Sequence, residues 1–184
     1  DLIARMLREE LATEVCLGCS GEGVIADAEE LETAAALALW VGCLPDVRLT
    51  PLRLSFSQIH DQIQMSGWPE PGAETTTFIL LADPFTTPID DVLSVMAERY
   101  PNAQTVGGLA GGGHGPGDNR VLKNGETYEG GVVGVQLSGP IATRTVISQG
   151  CCPIGERYVV TRAEENMVFD LGGKPALTRL QEVF

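Results

Sequence analysis

The fold turns on residues 75–106, TTTFILLADPFTTPIDDVLSVMAERYPNAQTV. Thr75 to Ala82 is an apolar run opened by three threonines, β-branched residues that suit a pleated strand. Asp83-Pro84-Phe85 ends it. Thr87-Pro88 then places proline in the first turn of a helix, where a missing N–H leaves nothing unbonded. Ile89, Val92, Leu93 and Met96 recur at three- and four-residue spacing and give that helix a face to bury, up to Tyr100-Pro101. Gln104-Thr105-Val106 begins the next strand. Strand, helix, strand over about 30 residues predicts a βαβ-like unit.

Downstream, seven glycines fall between positions 107 and 117. A folded chain keeps such a run where the backbone must turn or approach something closely. The expectation is a tight Gly107-Gly108 turn followed by an exposed loop. A phosphate cradle would need a helix N-terminus after the glycines. Pro116-Gly117-Asp118-Asn119 leads instead into a strand. Arg120-Val121-Leu122, the Asn124-Gly125 turn and Val132 to Leu137 read as strand, turn and strand. Further strands fit 143–149, 157–162 and 166–170, and Lys174 begins a helix.

Upstream, Leu2, Ile3, Met6, Leu7 and Leu11 form one apolar face of a helix, with Arg5, Arg8, Glu9 and Glu10 outward. Thr13 to Gly18 reads as a short buried strand entering the turn Cys19-Ser20-Gly21-Glu22-Gly23. Residues 33–44 read as a strand that makes a hairpin with Val47 to Phe56 through Leu44-Pro45-Asp46, with Pro51 suited to a sheet edge. Residues 57–74, with Gly67, Pro69, Pro71 and Gly72, read as a connecting loop. The fold class expected is α+β, with mixed, strand-rich sheets covered by a few helices.

The chain has 184 residues, about one domain, and 43% hydrophobic residues, enough for a core. Twelve basic residues against 25 acidic ones give a formal charge of −13. That balance argues against nucleic acid and anionic membrane surfaces, which attract clustered Lys and Arg. No apolar run approaches the roughly 20 residues that span a bilayer, and no secretory signal opens the chain. With five cysteines, a single Cys16-x-x-Cys19 spacing and two histidines, the expectation is reduced, mostly buried thiols in a cytoplasmic protein, with no metal site or cofactor.

The residues singled out for ligand binding are those of the tight turns: Cys19, Ser20, Gly21 and Glu22; Gly107 and Gly108; Gln149, Gly150 and Cys151; and Arg162, whose guanidinium could pair with a ligand carboxylate or form a surface ion pair. The working expectation is that these turns converge and leave main-chain amides facing a hollow. Two alternatives stay open. One is an enzyme with Cys19, Cys151 or Cys152 as nucleophile, which would require a depressed thiol pKa. The other is a scaffold for protein interaction.

Several segments in this order resemble the FIST domain family. They are Gly18 to Gly23; Leu80-Leu81-Ala82-Asp83-Pro84-Phe85; Tyr100 to Ala110; Gly130 to Gly139; Ser148-Gln149-Gly150-Cys151-Cys152-Pro153-Ile154-Gly155; Val160 to Asn166; and Leu171 to Leu177. The resemblance implies an intracellular sensory domain of signal transduction that binds small molecules such as amino acids without catalysis. It implies partners among signalling proteins or, as in F-box relatives, ubiquitin-ligase components. By the same comparison residues 1–170 form the N-terminal FIST part without its first strand, and residues 171–184 begin the C-terminal part. Cys152 stands where the comparison leads one to expect a basic residue.

Overall fold

The structure, a computed structural model, describes residues 2–26, 29–60, 62–72, 75–147 and 153–183. The elements in chain order are α1 (Leu2–Leu11), β1 (Leu17–Cys19), β2 (Val24–Ala26), β3 (Glu29–Leu31), β4 (Arg48–Ile59), β5 (Gln62–Ser66), β6 (Thr75–Ala82), α2 (Ile89–Arg99), β7 (Gln104–Leu109), β8 (Val121–Lys123), β9 (Glu126–Tyr128), β10 (Val132–Ser138), β11 (Val160–Glu164), β12 (Met167–Leu171), β13 (Lys174–Pro175) and α3 (Ala176–Gln181). Strands dominate, and among the described residues only β6 and β7 pair in parallel; the class is α+β. The chain divides into two compact units, Asp1–Thr145 and Val146–Phe184.

The first unit is organised by a five-stranded sheet of order β5-β4-β10-β6-β7. β10 lies at its centre, antiparallel to β4 on one side and to β6 on the other. Alternate side chains of these strands point to opposite faces. On one face Leu52, Leu54, Phe78, Leu80, Ala82 and Val132 pack with Val92, Met96 and Tyr100 of the α2 crossover. The rings of Phe78 and Tyr100 lie 4.6 Å apart and tilted, a favourable aromatic arrangement. On the other face Val133 and Leu81 meet Val121, Leu17 and Tyr128 of the small sheet β1-β8-β9. Cover on both sides is why Val132 to Leu137 is buried without a break.

The βαβ unit stands as the sequence predicts, joined by α2 between the parallel strands. Leu93, placed on the buried face of that helix, is instead exposed, and Ile89 is half-buried. Other expectations need correction. Gly107 and Gly108 make no turn; they lie inside β7, paired with Leu80 and Leu81. Residues 57–74 are not a loop throughout, because β4 runs on to Ile59 and returns as β5. Residues 33–44 form no strand, and β4 pairs with β5 and β10 rather than with them. The Asn124-Gly125 turn, with φ of 51° and 87°, joins β8 to β9 and not to β10. Thr13 to Cys16 is not strand, and β1 is half-buried rather than buried. Residues 143–147 are irregular; the rest of that expected strand, 148–149, lies outside the described residues. Pro51 sits where β5 no longer runs alongside β4, so its missing N–H falls on a stretch bonded only to β10.

The second unit contains the antiparallel sheet β11-β12-β13 and α3. None of its described residues is buried.

Candidate functional site

Two loops meet where the parallel pair ends. β6 stops at Ala82 and β7 at Leu109, and the next amide, Ala110 N–H, donates to the Ala82 carbonyl at 2.8 Å. The chain after β7 then crosses the turn after β1. Gly111 N–H donates to the Ser20 carbonyl at 3.0 Å, and Ser20 N–H donates to the Arg120 carbonyl at 2.8 Å. Glycine is needed at 112: its φ is +87°, and a Cβ there would stand 3.3 Å from the Gly21 carbonyl oxygen and 3.4 Å from the Glu22 nitrogen. The Ser20–Glu22 turn and the Gly111–His114 loop therefore form one rim.

Beneath the rim lies a buried polar pair, Asp83 and Asn119. Asp83 Oδ1 accepts from Asn119 Nδ2 at 3.0 Å. Asp83 Oδ2 accepts from the Thr86 amide at 2.9 Å and from the Thr86 hydroxyl at 2.6 Å. Asn119 Oδ1 accepts from the Gly113 amide at 2.9 Å and, at 3.5 Å, from the Ser20 hydroxyl. The Ser20 oxygen accepts from the Arg120 amide at 3.1 Å. Buried polar groups are expected to be bonded in this way, because an unmade bond inside protein is costly. Asp118 at the outer end of the loop accepts from the His114 amide at 3.0 Å.

Of the residues selected from sequence, Cys19, Ser20, Gly21 and Glu22 come together at this rim. Gly107 and Gly108 lie in the strand that leads to it. Gln149, Gly150 and Cys151 lie outside the described residues, as does Cys152. Arg162 belongs to the second unit, where its Nε donates to Asp170 at 2.8 Å and its guanidinium stacks 4.9 Å from the Phe169 ring centre. The hollow lined by free amides is not what the loop supplies: the Gly111, Gly113 and His114 amides are all taken by protein acceptors. Asn119 and Thr86 do not stand out in the sequence as site residues. Their only local signals are an Asx residue closing a glycine loop and an Asp-Pro-x-Thr turn after a strand.

Among the described cysteines, Cys19 and Cys43 are exposed and Cys16 is half-buried, so none of these three is the buried thiol expected. The side of Cys19 that rests on protein loses water, and this desolvation pushes its thiol pKa above the usual 9.0. No group of three or more His, Cys, Asp or Glu gathers as a metal site among the described residues. No helix among them is long and apolar enough to cross a membrane. A separate shallow cleft of about 470 Å³ lies between α1 and the β8–β9 turn, lined by Arg5, Arg8, Glu9, Asn124, Gly125 and Glu126.

A mixed sheet with one helical crossover, and loops gathered at the carboxyl ends of its parallel pair, defines an α+β domain with a loop rim at one end of the sheet. The chain belongs to the FIST family, whose members are sensory domains of signal transduction: the FIST N domain matches residues 1–174. It is similar to the uncharacterized protein Rv0628c of Mycobacterium tuberculosis, with 32% identity over 183 residues, 100% of this chain and 47% of that protein. It is also similar to the uncharacterized protein Mb0898c of Mycobacterium bovis, with 31% identity over 167 residues, 91% of this chain and 42% of that protein. The chain thus spans about half the length of these relatives. No solved structure matches it.

Proposed function

We propose that this chain is a non-catalytic, cytoplasmic sensor module that receives a small polar ligand of amino-acid size at the rim of Ser20–Glu22 and Gly111–His114, and passes the signal to a protein partner. The observation that carries the reading is the meeting of these two loops at the carboxyl ends of β6 and β7. In open α/β sheets, ligands bind at the carboxyl ends of the parallel strands, and the rim stands at the corresponding end of the β6–β7 pair. Exposed Glu22 supplies a charged anchor there for an ammonium group. The raised thiol of Cys19 weighs against Cys19 as a nucleophile, since a nucleophilic cysteine needs its pKa lowered.

The test is a thermal-shift screen against the common L-amino acids and their decarboxylated and deaminated analogues, repeated on Glu22→Gln. A ligand at about 100 times its Kd stabilises by about 2.7 kcal/mol, a shift of several degrees for a domain of this size. The expected outcome is a hit carrying an ammonium group whose shift falls in Glu22→Gln. No hit across the panel, or a hit indifferent to Glu22, overturns the assignment of this rim.

A further inference from the structure

We infer that Asp83 and Asn119 are the positioning pair of the rim, and that through Thr86 they couple it to the turn entering the central strand β10. The bonds on the two sides of the carboxylate run in the same sense, the rim side through a longer relay whose Ser20–Asn119 link is 3.5 Å. On the rim side the Arg120 amide donates to the Ser20 hydroxyl oxygen, the Ser20 hydroxyl to Asn119 Oδ1, and Asn119 Nδ2 to Asp83. On the other side the Gly131 amide donates to the Thr86 hydroxyl oxygen at 2.9 Å, and the Thr86 hydroxyl donates to Asp83. Every donor therefore points inward to one buried carboxylate, and such chains polarise one another cooperatively.

The β10 side is held as tightly as the rim. The Gly131 carbonyl accepts from the Asp83 amide at 3.0 Å and from the Thr87 hydroxyl at 3.2 Å, next to the start of α2. A Cβ on Gly130 would stand 2.4 Å from the Thr86 hydroxyl oxygen, and one on Gly131 would stand 2.7 Å from the Leu54 carbonyl oxygen. The turn cannot shift without breaking the Thr86 contacts, and the 111–119 loop cannot lift without breaking those of Asn119. Both sets end on Asp83. The Asp83 side chain therefore links the rim to the turn before β10 and to the residues leading into α2, alongside the main-chain bonds of Ala110 to Ala82 and of Asp83 to Gly131. The sensory purpose rests on the rim being the ligand site. The coupling does not, so it is tested without ligand and the two fail separately.

Exchanging the pair gives the test. In Asp83→Asn the new amide meets either Asn119 Nδ2 or the Thr86 donors, so donor faces donor. In Asn119→Asp two carboxylates face each other. In the double variant D83N/N119D the Asn at 83 accepts from Thr86 and donates to the Asp at 119, which still accepts from Gly113 and Ser20, so every bond is regained. Residue-resolved amide hydrogen exchange is read at Gly113 and Gly131. In either single variant both amides exchange about tenfold or more faster, the size expected from breaking one buried bond. In the exchanged pair both return to within about twofold of the original rates. Acceleration at only one of the two amides, or an exchanged pair no better protected than the worse single variant, overturns the coupling. Where a single variant does not fold, the exchanged pair decides alone: a folded protein with both amides protected supports the inference, and an unfolded one refutes it.

Discussion

Gly107 and Gly108 are neighbours in one strand and differ in what a side chain would meet. A Cβ at 107 would lie 1.8 Å from the Leu80 carbonyl oxygen of the paired strand, whereas at 108 it would meet nothing within 4 Å. Gly107→Ala should therefore cost about 1–3 kcal/mol, because β7 must shift against β6, while Gly108→Ala should stay within about 0.5 kcal/mol. Urea denaturation of the two variants checks this, and equal costs would show that the β6–β7 spacing does not depend on Gly107. Both glycines stand out in the sequence as members of a dense run, but the run conceals three roles. Gly107 lets two strands approach, Gly112 adopts positive φ against the Gly21–Glu22 backbone, and Gly113 sends its amide to Asn119. Composition marks the region as special and is silent on which acceptor takes which amide. The Asp83–Asn119 bond spans 36 positions, so no local spacing encodes it. Asp83 reads in sequence as a charge beside a turn, and only burial turns it into the point where several bonds end.

At the scale of elements, periodicity indicates a helix more securely than it indicates what the helix packs on. α1 forms where Leu2, Ile3, Met6, Leu7 and Leu11 recur, yet Leu2, Ile3 and Met6 are exposed at 65%, 60% and 52%, and the buried residue of that helix is Ala4. The helix is held from its other side, where Arg8 Nη1 donates to the Asn124 carbonyl and the Arg8 side chain lies against Gly125. Ile3→Lys should accordingly change stability by no more than about 0.5 kcal/mol. Ala4→Asp, which buries a charge, should cost about 2 kcal/mol or more. Thermal denaturation of the two variants distinguishes this arrangement from one in which the apolar stripe is the packed face; there Ile3→Lys would be the more damaging. Elsewhere the pattern fails for definable reasons. β5 carries only Ile63 and Met65 among polar neighbours and runs into Gly67, so its alternation is too short to stand out from a loop. Residues 33–44 are apolar and yet form no strand; Trp40 among them is 81% exposed. The βαβ segment was legible because three signals agree there: a β-branched run, a proline at the helix start, and a three-four repeat with Val92 and Met96 in the core.

At the scale of the molecule, the two units differ in what holds them. The first has a sheet covered on both faces, with Phe78, Leu54, Val92, Val121, Val132 and Val133 fully buried. The second has three short strands and a six-residue helix with no buried residue among those described. Its contacts are of the exposed kind. Arg162 pairs with Asp170, Lys174 and Arg179 pair with Glu182, and Arg179 stacks 4.3 Å from the Tyr158 ring centre. Surface pairs of this sort contribute little each and are screened by salt, and a small sheet without an apolar face packed against something is marginal. Backbone bonds in β11 and β12 should therefore open locally, at a free energy far below that of global unfolding. Native-state amide exchange is expected to show Ala163 and Val168 at least about a hundredfold less protected than Leu80 and Val133, which lie in the paired core strands. Raising salt from low to about 0.5 M should widen the gap, because it weakens the ion pairs of the second unit while relieving self-repulsion in a chain of net charge −13. Equal protection in the two units would show instead that β11–β13 is held by more than its own side chains, and that the stability of this protein is not concentrated in the sheet beneath the rim.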